Sequence, residues 1–226
     1  MRRITAAIVI GLLGVAITRL AASDAYLSYV KPGMKAFLLI AGIAMVILAM
    51  ASAWDALRRD VADHDHVPRV GLLLLVPFVA IFVIAPPPLG AYVAERGASN
   101  AISPAAQPLP PLPPGDPVPI ALPDYVYRAQ ADGGSSLLGR RVQVEGFVVP
   151  QGDGTWYLAR IRIACCAADG LPYTIDPRGP MVQAATADPN DWLRVVGTWA
   201  PGGADGVPLI EVESIEPIPA PVEPYA

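Results

Sequence analysis

The sequence predicts an α-helical membrane half followed by an all-β domain. Three observations predict it. Long apolar runs with few charges are concentrated in the first 95 residues, a proline-rich stretch occupies 104–123, and five β-rich segments lie between 140 and 218. The composition agrees: 54 % of the 226 residues are hydrophobic, 16 % are charged and 26 are proline. A formal net charge of −4 argues against non-specific nucleic-acid binding, which needs a cationic surface to displace counterions.

The transmembrane region is expected over 1–95, with spans at about 4–22, 34–54 and 70–90. Met34 to Trp54 has the twenty or so apolar residues that cross a ~30 Å hydrocarbon core, and Lys35 at its start can snorkel to the headgroups. Val70 to Ala85 is uncharged and needs the extension through Pro86-Pro87-Pro88 to reach that length. Arg2-Arg3, an apolar stretch and "LAASDA" also fit a cleaved signal peptide. Arg19, which breaks the approach to the cleavage site, and the lack of a clean small-x-small pair where cleavage would fall favour an uncleaved anchor. Three spans from a cytoplasmic N-terminus, or two after cleavage, both put the C-terminal half outside. Arg2, Arg3, Arg58, Arg59 and Arg69 would then be cytoplasmic, against Lys31, Lys35 and Arg96 outside, as the positive-inside rule asks. The expected location is the plasma membrane of a bacterium, with the C-terminal domain extracytoplasmic.

Residues 96–123 read as an extracytoplasmic linker. Proline fixes φ and lacks an N–H, so "PLPPLPPGDPVPIALP" should neither join a sheet nor continue a helix. It should form an extended spacer of ~3.1 Å per residue. The tail 219–226 repeats that chemistry and is expected to have no fold.

Between them, 124–218 reads as the β-domain. Asp124–Gln130 is a short helix or a leading strand. The strands follow at Arg140–Pro150, Thr155–Cys166, Leu171–Asp176, Trp192–Ala200 and Pro208–Ile218, with a helical stretch near Met181–Thr186. "QGDGT" at 151–155 is a hairpin turn, and Gly146 and Gly197 sit where a strand bends or bulges. Five strands with a helix between the third and fourth is the order of an OB-like five-stranded barrel. Such barrels often read oligonucleotides, and Trp156, Tyr157, Trp192 and Trp199 could stack bases. That use also needs a cationic groove, and here the arginines are balanced by carboxylates.

"RIRIACCAADG" holds both cysteines of the chain, side by side. Outside the membrane thiols can be oxidised. Adjacent Cα atoms are ~3.8 Å apart, below the usual disulfide range of about 4.4–6.8 Å, so a vicinal disulfide would be strained and easily reduced. Soft-metal capture is a second reading, because thiolates suit zinc, copper(I) or arsenite-like ions. Neighbouring side chains on a strand point to opposite faces, so both sulfurs meet one ion only where the strand ends. The small residues and Asp169, Gly170 and Pro172 mark such an end, and Asp169 offers a third ligand or a hydrogen bond. A third reading makes one or both cysteines small buried hydrophobes. Both histidines, His64 and His66, lie in "DHDH" between the second and third spans. Alternating imidazole and carboxylate suit zinc or a similar divalent ion, on the opposite side of the membrane from the cysteines.

The chain resembles the YcgQ-like family of permease subunits, bacterial membrane proteins with a C-terminal domain of unknown function. "HDH" before a span, "PPPLGAYVAERG" at its exit, "VQVEGFVV", "RIRIACCAADGLP" and "WLRVVGTW" carry the resemblance. Gly170 stands where that pattern would have Ala, and the histidine loop is shorter than in His-rich relatives. The resemblance implies an accessory subunit of a larger multi-span permease and a link to zinc homeostasis. By the same match Arg160, Cys165, Cys166 and Asp169 are signature residues.

The expectation is a non-enzymatic membrane subunit that presents a dithiol to zinc or another soft metal ion. Few intramembrane charges make a poor transport path by themselves. The alternatives are a thiol redox factor and a structural adaptor with packed cysteines. The redox reading lacks a Cys-x-x-Cys motif in a βαβ setting. No phosphate loop, nucleophile elbow or His-Glu-x-x-His stretch appears, and no small-molecule substrate is indicated.

Overall fold

The computed structural model describes residues 2–58, 88–96, 109–185, 187–203 and 206–226. They fall into two compact units, Met1–Pro87 and Pro88–Ala226.

In the first unit, helices α1 (Arg2–Ala22) and α2 (Lys35–Arg58) are joined by 3₁₀ turns at Asp24–Ser28 and Pro32–Met34. Ile4–Ala22, with 19 residues, and Pro32–Arg58, with 27, are long and apolar enough to cross a membrane. They pack through small residues, which let backbones approach without a polar driving force. A Cβ on Gly14 would lie 2.8 Å from the Gly42 carbonyl, and one on Gly42 would run into the Thr18 side chain. The Thr18 hydroxyl donates to the Gly14 carbonyl at 2.7 Å. Phe37, Ile40, Ile47 and Leu48 point outward, each more than half exposed. Lys35 lies 5.4 Å from the centre of the Tyr26 ring and Arg58 4.6 Å from that of Trp54, an aromatic–cation arrangement suited to a membrane interface. The expected third span and the His64–His66 loop fall outside the described residues, apart from 88–90.

The second unit is a six-stranded mixed sheet: β1 (Val118–Pro119), β2 (Arg141–Pro150), β3 (Trp156–Arg162), β4 (Leu171–Arg178), β5 (Trp192–Ala200) and β6 (Leu209–Ile218). The order is β1-β2-β3-β4-β6-β5, and β2 also pairs with β5, so five strands close on one another. Helices α3 (Ala91–Arg96), α4 (Leu122–Ala131) and α5 (Pro180–Ala184) complete it. The β2–β3 turn forms as expected: Gln151 N–H donates to the Thr155 carbonyl at 2.8 Å, and Gly154 takes φ +83°. The β5–β6 register shifts between Val196 and Gly197. There a Cβ would collide with the Glu211 carbonyl, so the bulge brings two backbones closer than any side chain allows.

The alternation of β2 splits the apolar residues between two faces. Val142, Val144 and Val148 join Leu158, Ile175, Val195, Ile210 and Tyr125 inside the ring of strands. Phe147 and Val149 join Ala159, Ile161 and Ile163 on a second face, covered by Ala91 and Ala94 of α3 and by Tyr225. Each fully buried large apolar side chain contributes about 1.5–3 kcal/mol.

Two expectations are corrected, and one open choice is resolved. The proline-rich segment does join the sheet: Val118 and Pro119 pair in parallel with Val142 and Gln143. Proline is tolerated because β1 is an edge strand, and the neighbouring Ile120 N–H donates to the Gln143 carbonyl at 3.0 Å. The helix-or-strand choice after it resolves as α4. The tail is ordered too, with Tyr225 buried at 9 % exposure and Ala226 N–H donating to the Ile161 carbonyl at 2.9 Å. The reason is common to both segments. A polyproline chain makes no internal hydrogen bonds, so its carbonyls stay free, and arginines take them. Arg128 donates to the Pro110 carbonyl at 2.8 Å, Arg140 to that of Pro113 at 3.3 Å, and Arg160 to that of Glu223 at 2.8 Å.

Candidate metal centre

Strand β3 ends at Arg162, four residues before Cys166. The chain then closes into a single 3₁₀ turn, Ala167–Asp169, with Cys166 as its N-cap in extended conformation. This change of direction escapes the strand rule that would send the two thiols to opposite faces. Among the described residues, Cys165 Sγ, Cys166 Sγ and an Asp169 carboxylate oxygen form a group with all three atoms within 4.8 Å of one another. Two thiolates on one zinc, with ~2.3 Å bonds at tetrahedral angles, sit about 3.8 Å apart. The spacing therefore fits one soft ion with little movement.

Asp169 holds this turn together. Its Oδ1 accepts the Ala164 N–H at 2.7 Å, and its Oδ2 accepts those of Cys165 at 2.8 Å and Cys166 at 3.2 Å. The Asp169 N–H in return donates to Cys166 Sγ. A hydrogen bond from the Cys165 thiol and these amide donors lower the Asp169 carboxyl to about 2. The same carboxylate, followed by the Cys166 side chain, raises the Cys165 thiol to about 11. At neutral pH, Cys165 is a thiol that donates to a carboxylate, and only an ion able to displace the proton makes it a thiolate.

Cys165 is exposed, Cys166 is half-buried, and both are free thiols. Neither lies in the core, which departs from the buried-hydrophobe reading. Arg160 does not reach the thiols. Its guanidinium stacks 4.8 Å from the centre of the Trp192 ring and donates to the Glu223 carbonyl, with burial lowering its pKa. It anchors the tail beside β3. His64 and His66 lie outside the described residues.

Sequence reasoning missed the residues that position the turn from outside. Leu89 packs against Gly170: a Cβ added to Gly170 would lie 2.8 Å from Leu89 Cδ1. Glycine in place of the expected alanine makes that room. The Leu89 N–H donates to the Tyr225 hydroxyl at 2.9 Å, and the Ala91 N–H to Asn190 Oδ1 at 2.7 Å. Asn190 has φ +71°, a conformation asparagine tolerates in turns. "DPND" signals that turn, but nothing in it names a partner 99 residues away.

Residues 131–226 match the family model of the DUF1980 C-terminal domain. The matched region holds β2 to β6, the dithiol turn and the tail that Arg160 anchors. That description names no activity. No curated protein and no solved structure matches the chain.

Proposed function

We propose that the chain is a non-enzymatic subunit of a bacterial plasma membrane, related to the YcgQ-like permease subunits, whose extracytoplasmic domain offers Cys165 and Cys166 to zinc or another soft metal ion. It would pass that ion to, or receive it from, a larger multi-span permease. The observation that carries this reading is the convergence of two free thiols and one carboxylate within 4.8 Å, on a turn exposed at Cys165. Four closed ligands mark a structural zinc site. Three donors, one of them already serving backbone amides, leave positions open for exchange.

Asp169 supplies more than shape. A carboxylate has about four acceptor positions. Here they serve three amides and the Cys165 thiol. Loss of the thiol proton to a metal would free the fourth. The raised Cys165 pKa argues against Cys165 itself as the attacking thiolate of a redox factor at neutral pH.

The strand connectivity supports an OB-like barrel: β2-β3-β4-β6-β5 closing on β2, β4 parallel to β6, and a helix between β4 and β5. OB folds bind oligonucleotides on the second and third strands, here β3 and β4. Helix α3 lies against β2, β3 and β4, so the chain covers that face itself.

The test is genetic. Cells lacking the chain are complemented with the wild type or with Cys165→Ser/Cys166→Ser, and ⁶⁵Zn uptake is followed. The proposal expects the double variant to reach the membrane and to leave uptake at the level of the deletion. Wild-type uptake by the double variant contradicts it.

A further inference from the structure

We infer that Arg162 is the specificity residue of the dithiol site: it takes the carboxylate of a small thiol that completes the metal's coordination. The inference rests on the reading of Cys165 and Cys166 as metal ligands.

One cation of the β-domain is left over. Residues 88–226 contain no lysine and eight arginines. Arg128, Arg140 and Arg160 donate to backbone carbonyls, and three more form ion pairs. Arg96 stacks 3.8 Å from the centre of the Tyr92 ring. Arg162 is exposed. Among the described residues its guanidinium has no hydrogen bond, ion pair or ring contact.

Its place in the fold ties this arginine to the thiols. Arg162 and Leu171 are the last pair of the β3–β4 ladder, so they close the base of the loop that carries both cysteines. Their side chains share one face, and Leu171 is 62 % exposed, which gives a ligand an apolar contact beside the charge. Cys165 follows Arg162 by three residues, so the two Cα atoms are at most about 11 Å apart. A long arginine side chain and a short ligand bridge that gap together. Around the thiols, Ala164, Ala167, Ala168 and Gly170 carry nothing larger than a methyl group, so a ligand reaches the metal without displacing a side chain.

The donor set calls for an outside ligand. Cys165, Cys166 and Asp169 offer three donors, one short of a tetrahedral shell. Among the described residues no further histidine, cysteine or carboxylate joins the group. The vacant position next to two sulfurs suits a third thiolate, whose proton leaves to water as the sulfur binds. Two thiolates and a carboxylate already outweigh a divalent ion, so an incoming anion is repelled. A free guanidinium at the rim offsets that repulsion and reads a carboxylate through two parallel N–H bonds. A thiol without a carboxylate forgoes those bonds.

The full-length protein in detergent is loaded with cadmium and dialysed to equilibrium against radiolabelled thiols, at concentrations that leave the metal on the protein. The probes are β-mercaptopropionate, which has the carboxylate, and β-mercaptoethanol, which has a hydroxyl in its place. Bound cadmium and bound thiol are counted in the same samples. The preference for β-mercaptopropionate should be about five-fold larger in the wild type than in Arg162→Gln. An equal preference in both chains overturns the role of Arg162 and leaves the metal centre standing. Cadmium retained by the wild type without either thiol overturns completion by an outside ligand. No cadmium retained overturns the inference together with the dithiol reading.

Discussion

Asp169 Oδ2 accepts the backbone N–H of Cys165 at 2.8 Å and that of Cys166 at 3.2 Å. One carboxylate oxygen thus fixes the backbone of both thiol residues at once. The chain itself organises the turn, so on the proposed function the cost of ordering two cysteines would be met in folding rather than in binding.

Asp169→Asn removes the charge and leaves one oxygen where two served. Groups that orient metal ligands typically cost 10–100-fold in affinity when replaced. We expect the full-length variant to bind zinc about 10–100-fold more weakly than wild type, with unchanged far-ultraviolet circular dichroism. Competition against a zinc indicator measures it, and unchanged affinity would remove Asp169 from the site.

The two perturbed groups give a pH signature. The Asp169 carboxyl sits below its ordinary value, at about 2. Its stabilising contribution is therefore complete above the unfolded carboxyl range and is lost as pH falls through about 2. The Cys165 thiol is raised to about 11. Its contribution is present below the unfolded thiol range and lost as pH rises through that value. In Cys166→Ser, alkylation of Cys165 should accelerate with a midpoint above the ordinary thiol range, and adding Asp169→Asn should bring the midpoint down. A midpoint insensitive to Asp169 would contradict the thiol–carboxylate bond.

Arg160 should matter to the tail and not directly to the thiols. Arg160→Ala loses the donor to the Glu223 carbonyl and the stack on Trp192. The expected cost is about 1–3 kcal/mol, together with faster carboxypeptidase trimming of residues 219–226. Arg160→Lys keeps the charge but not the planar fork and should recover only part of the loss. Thermal denaturation and trimming rate measure both.

Gly197→Ala tests the closure of the sheet. The new methyl would overlap the Glu211 backbone carbonyl, which cannot move aside as a side-chain tip can. Overpacking of this kind costs about 1–3 kcal/mol. An unchanged melting temperature would show that the β5–β6 bulge has slack.

Strands were legible in the sequence because period-2 patterns and turn residues are local. β5 was expected at Trp192–Ala200 and is found there, and the bulge was signalled by Gly197 alone. The cysteine turn was legible for the same reason, since its organiser lies only four residues from Cys165. The roles of the proline-rich segments were not. Proline announces what it cannot donate, and the sequence hides which arginine will use its carbonyls. Arg128 and Pro110 are 18 residues apart, and Arg160 and Glu223 are 63 apart. Leu89 was read as the exit of a span, but its contact with Gly170 needs the fold of the whole β-domain.

The most direct test is a cadmium titration of the full-length protein in detergent, purified without chelator and fully reduced. Ultraviolet charge-transfer absorbance should rise to a plateau at one equivalent, and both thiols should become protected from alkylation together. Cys165→Ser/Cys166→Ser should show neither. Thiols that alkylate equally fast with and without the metal would contradict a dithiol metal centre.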